Sequence, residues 1–146
     1  MRIWHWKLLP YLPDRQFRGQ LRELVAIMRD WRDKGKTNHL LINHVMDYPK
    51  SDLLLYFKMY RAEYDKRYKG KNGIRLSIIS EFYEFGKTDD CNRDNPPFKD
   101  WHDDEYLLIC MWNLYEKFLA VGNSAVTYKE WQVLLEGYKT ITGKDF

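Results

Sequence analysis

Four groups near the start of this chain have the types and spacing for chemistry: the amine of Met1, the guanidinium groups of Arg2 and Arg22, and the carboxylate of Glu23. An α-amino group titrates near ~7.7–8.0 against ~10.4 for lysine, so a sizeable fraction is a neutral nucleophile at neutral pH. Such an amine beside a carboxylate and arginines has the parts for Schiff-base formation on an anionic substrate. Arg2 is a large side chain, so the initiator methionine is expected to stay and Met1 to supply the amine. Arg2 is followed by no apolar run and a proline-bounded turn comes by Pro10, so no secretory or transit segment is expected.

These groups need a rigid element to hold them, and the sequence supplies one. Asp14 is a suitable N-cap after Pro13, and Phe17, Leu21, Leu24, Val25, Met28 and Trp31 recur at helical spacing up to Gly35. At ~100° per residue these six gather on one face. Arg15, Arg18, Arg22 and Arg29 fall in a stripe roughly 60° wide beside it, joined late by Asp33. Gln16, Gln20, Glu23 and Ile27 make a third strip. The stripe alone suits a solvated face or a phosphate-binding one; with the N-terminal groups added, phosphate binding is favoured, by Arg2, Arg15, Gln16, Arg18 and Arg22.

The rest of the chain reads as all-α. A loop over 36–50 carries His39 and His44, and a second helix is predicted over 51–69, with Leu54, Phe57, Tyr60, Tyr64 and Tyr68 as its stripe. Lys69 to Gly73 stops it with glycine and asparagine. The segment 74–85 suits helix or strand, and a polar loop with Pro96-Pro97 follows. A further helix is predicted over 103–121, packing Leu107, Cys110, Met111, Leu114 and Phe118, with Gly122 past its end. Thr127 and Glu130 form a capping box that opens a last helix to about Tyr138.

Composition agrees with one compact domain over 1–146. A chain that is 45% hydrophobic and 16% aromatic can bury a core. Its net charge of +3 gives bulk charge little part in binding nucleic acid. Cys91 and Cys110 are expected as reduced thiols in a cytoplasmic setting, and no run approaches the ~20 apolar residues of a membrane span.

Other chemistries fare worse. His5, His39, His44, His102, Cys91 and Cys110 never fall at zinc-ligand spacing. Asp89-Asp90, Asp94 and Asp103-Asp104-Glu105 could serve a metal-dependent nuclease, but solvated loop charge and carboxylates at a helix N-terminus explain them more simply. There is no G-x-S-x-G and no phosphate-binding glycine loop. His5 and His102 are candidates for an active-site role or for packing, and Trp4, Trp6 and Trp101 for stacking on a base or for the core.

The opening Met1 to His5, with Leu9-Pro10, Leu12-Pro13, Gln16, Gly19-Gln20 and Arg22-Glu23, resembles the pyrimidine-dimer DNA glycosylase/AP lyases of the phage endonuclease V type and their small bacterial relatives. The stretch from Pro97 to Lys117, with Trp101-His102, more loosely resembles that family's third helix. The likeness covers roughly the first 25 residues well, 97–117 fairly, and little else. It implies an all-α, endonuclease V-like domain of about four helices with long loops. It also implies a monomeric, bacterial or phage-encoded DNA glycosylase with AP lyase activity, acting on double-stranded DNA without cofactor or metal. The family's nucleophile falls on the Met1 amine, its catalytic glutamate on Glu23 and the neighbouring arginine on Arg22. Where the phage enzymes carry a further arginine one turn on, this chain has Ala26 and Ile27. The damaged or modified base therefore stays open, with a pyrimidine dimer one candidate. A non-catalytic nucleic-acid-binding domain on the same fold and a metal-dependent nuclease remain as alternatives.

Overall fold

The computed structural model describes residues 1–69, 71–87, 95–120 and 125–146. Among them every regular element is helical: α1 Asp14–Lys34, α2 Lys50–Arg67, α3 Leu76–Gly86, α4 Asp104–Leu119 and α5 Tyr128–Thr142. Short 3-10 helices cover Trp6–Tyr11 and Ile42–Asp47, the second within the predicted loop over 36–50. The expected all-α class holds, and the ambiguous 74–85 segment is helix α3. Cys91, Asp89, Asp90, Asp94 and the helix-end residues Gly70, Val121 and Gly122 lie outside the described residues.

The chain packs as two compact units: Met1–Ile3 with Leu21–Trp101, and Trp4–Gln20 with His102–Phe146. The first unit buries Leu24, Ile27 and Met28 of α1, the α2 residues Leu53, Tyr56, Phe57 and Tyr60, and Phe82 of α3. Phe57 and Phe82 stack with ring centres 4.0 Å apart. Gly86 lets α3 close on α2, since a β-carbon there would lie 2.5 Å from Leu54 Cβ. α2 is buried on two sides, which explains why Leu53 and Tyr56 join the single stripe read from the sequence.

In the second unit, Leu8, Leu9 and Leu12 of the opening turn share a core with Phe17, Leu107, Cys110, Met111, Leu114, Trp131 and Leu134. Gly137 of α5 meets the Tyr11 ring directly, and a β-carbon there would clash with it. The capping box at α5 is present: the Thr127 side chain accepts from the Glu130 amide and Glu130 accepts from the Thr127 amide. Glu130 also accepts the Asp14 amide at 3.2 Å. α1 begins at Asp14, so Asp14 is its first residue and not its cap, and its carboxylate pairs with Arg18 one turn on.

Candidate active site

Within the first unit, the Arg2 N–H donates to Glu23 Oε2 at 3.1 Å. Residues 21 apart in sequence are thereby brought together, and the Glu23 carboxylate sits one peptide from the Met1 amine. Met1 is exposed, while Arg2 and Glu23 are half-buried. Burial raises the Glu23 carboxyl above the ordinary glutamate range; the Arg2 amide, the Met1 ammonium and the Arg2 and Arg22 guanidinium groups oppose it without cancelling it. The result is a partly desolvated carboxylate facing an amine and two arginines, an arrangement that can move protons and stabilise a cation.

α1 positions this carboxylate because its third strip is not a solvent face. Gln20 and Ile27 of that strip are fully buried. In the second unit, Gln20 Oε1 accepts the Trp4 N–H at 2.8 Å. Sequence reasoning assigns Gln20 no function, yet it anchors the N-terminal backbone. Its signal is a glutamine aligned with Glu23 on one helical strip.

Trp4, His5 and His102 are all buried in the second unit. His5 Nδ1 accepts the Lys7 N–H at 3.1 Å, so its Nε2–H donates to the His102 carbonyl at 2.8 Å. His102 Nδ1 accepts the Trp6 N–H at 3.2 Å, and the two imidazoles stack with centres 5.1 Å apart. Burial lowers the His5 pKa from 6.5 to about 4 and that of His102 well below its ordinary value. Both rings are thus neutral clamps that fasten the start of the chain to residue 102. Each folded-state pKa lies below the unfolded value, so the stability they confer is present above pH ~6.5 and is lost as the pH falls towards 4. For His5 the full loss is about 3 kcal/mol. Thermal denaturation followed from pH 7 to pH 4 is expected to show a falling Tm, and His5→Asn is expected to flatten that fall. An equally steep fall in the variant would place the acid sensitivity elsewhere.

The arginine stripe of α1 divides. Arg18 pairs with Asp14 at 2.9 Å. Arg29 makes a two-pronged contact with Glu81 of α3, at 2.8 and 3.1 Å, and Arg32 joins the same carboxylate. Glu81 is remote in sequence, so nothing in the helical pattern of α1 could announce it. Arg15 and Arg22 are exposed and meet no carboxylate within ion-pair distance among the described residues. Gln16 is half-buried. The acidic run at 103–105 is structural: Asp103 caps α4 by accepting the Tyr106 N–H at 2.8 Å, and Asp104 and Glu105 occupy the first turn. Among the described residues no three His, Cys, Asp or Glu side chains gather as a metal site. No described helix is long and apolar enough to cross a membrane.

A family model described as pyrimidine dimer DNA glycosylase matches residues 1–75, the stretch that carries Met1, Arg2, Arg22 and Glu23. No curated protein and no solved structure gives a significant match to the chain.

Proposed function

The chain belongs to the pyrimidine dimer DNA glycosylase family, and we propose that it is a bifunctional glycosylase/AP lyase whose nucleophile is the Met1 amine and whose proton-transfer group is Glu23. The observation that carries the reading is the 3.1 Å bond from the Arg2 N–H to Glu23, which sets the carboxylate beside the amine. Arg2, Arg15, Gln16, Arg18 and Arg22 hold phosphates of the duplex, which orients the strand without reading its sequence. The nucleotide is extruded, because C1′ of a stacked nucleotide is hard to reach.

The neutral amine then attacks C1′. The N–C1′ bond forms, the bond from C1′ to the base breaks, and the base leaves with its electron pair and takes up a proton. Glu23 stabilises positive charge at the sugar, accepts a proton from the attacking nitrogen and passes it to O4′ as the ring opens to a protonated imine. That imine is an electron sink. Loss of the C2′ proton sends its electrons towards the imine and expels the 3′ phosphate with the C3′–O pair; water then releases the amine.

Borohydride reduction tests the reading on an abasic duplex. A covalent protein–DNA adduct is expected; a chain that binds the duplex without trapping is a binding domain and overturns it. Among the arginines, the pairing pattern predicts unequal effects. Replacing Arg15 and Arg22 together by Gln is expected to lower the slope of log K against log salt by roughly 0.9 per lost phosphate contact. Arg29→Gln is expected to leave the slope nearly unchanged, since Arg29 is held by Glu81. An unchanged slope in the double variant would move the DNA off this face.

A further inference from the structure

The turn between α2 and α3 concentrates charge that the proposed chemistry does not use. From Lys66 to Arg75 the sequence holds five Lys or Arg and no Asp or Glu, although the whole chain carries only +3. The rest of the chain is therefore net negative by two. Of the five, Arg67 is spent internally, in a little-exposed pair with Glu63 at 2.9 Å. The nearby Asp65 faces Arg61 at 3.8 Å. Lys66, Lys69, Lys71 and Arg75 are exposed, and none meets a carboxylate within ion-pair distance among the described residues.

Helix stability does not account for this cluster. The macrodipole favours cations in the last turn of α2, which covers Lys66 and Arg67. Lys69 and Lys71 lie beyond that turn, where the Lys71 N–H closes on the Tyr68 carbonyl at 3.0 Å. Arg75 stands at the start of α3, the end where the dipole disfavours a cation, and no acidic residue follows in the first turn. Like charges gathered within ten residues of sequence repel, and a phosphate anion would relieve them.

Within the first unit α2 also ties the turn to the candidate active site. The Tyr60 hydroxyl contacts the Leu21 backbone, next to Arg22. Lys66 follows six residues later, roughly 9 Å along the helix axis. That axial offset is short beside the ~34 Å of one duplex turn.

We propose that Lys66, Lys69, Lys71 and Arg75 form a second phosphate-binding surface for duplex DNA, distinct from the arginines of α1. The inference rests on the reading of duplex DNA as substrate. It adds a sequence-independent contact that raises affinity for undamaged as well as damaged duplex.

The test is the salt dependence of binding to a fluorescein-labelled undamaged duplex, followed by anisotropy. The variant K66Q/K69Q/K71Q is expected to lose roughly 0.9 in slope per contact, up to roughly 2.7 in all. K66R/K69R/K71R keeps the charges and is expected to keep the slope. Combined with Arg15→Gln and Arg22→Gln, the losses are expected to add, as for separate surfaces. A glutamine triple variant with the wild-type slope overturns the inference, and if wild-type protein still traps on abasic DNA the glycosylase/lyase reading survives. The converse result, a reduced slope without wild-type trapping, supports the second surface and removes the amine chemistry.

Discussion

A chain whose N-terminus is acetylated, or extended by an uncleaved tag, is expected to form no borohydride-trapped adduct on abasic DNA and to lose strand cleavage outright. An amide nitrogen cannot form an imine, and an extension carries the free amine away from the carboxylate that serves it. The Met1 side chain is exposed, so the block displaces no packed core. The Arg2 N–H is a backbone group that keeps its bond to Glu23. Fold and duplex affinity are thus expected to survive, with acetylation removing a single positive charge. The expected loss of trapping is complete, because no other group in the mechanism takes over covalent attack. Circular dichroism and duplex binding on the same preparation separate chemistry from unfolding. A blocked protein that still traps would make a lysine the nucleophile and overturn the assignment of Met1.

Part of this arrangement is legible in the sequence because the information is local. Helical spacing places Glu23 and the arginines of α1 on different strips, and Thr127 with Glu130 announces the start of α5. What stays hidden depends on partners far along the chain. Nothing in the helical pattern tells that Gln20 accepts the Trp4 amide. Arg29 reads as a free cation until Glu81 of α3 arrives. His5 and His102 are 97 apart in sequence, and only the fold shows that both ring nitrogens of His5 and Nδ1 of His102 serve backbone groups. The segment 74–85 is ambiguous for a different reason: its isoleucines suit either state, and packing of Phe82 on Phe57 decides for helix. The glycine and asparagine over 69–73 are plain as a helix stop, but that Arg67 is held by Glu63 while Lys66, Lys69, Lys71 and Arg75 meet no carboxylate within ion-pair distance among the described residues emerges only in three dimensions.

Glu23→Gln is expected to abolish base excision while leaving duplex binding unchanged or tighter. Glutamine keeps the length of the side chain and can still accept the Arg2 N–H through its carbonyl oxygen. It cannot carry a proton or balance a developing cation. Loss of general acid–base catalysis alone removes roughly 10²–10⁴ in rate, and loss of charge stabilisation at the sugar adds to that. The raised carboxyl pKa gives the prediction two further readouts. In the wild type, activity is expected to fall as the pH drops through a value above the ordinary glutamate range, because protonation removes the needed charge. On stability the sign is opposite. A carboxyl whose folded pKa is raised contributes stability at low pH that is lost as the pH rises through that pKa, so at neutral pH the ionised Glu23 is a burden on the fold. Glu23→Gln removes that burden, and its Tm at neutral pH is expected to equal or exceed that of the wild type. An inactive variant that is also less stable would mark Glu23 as a structural support. An active one would move proton transfer to another group. Only loss of activity with stability kept or gained fits a carboxylate held beside the amine for chemistry.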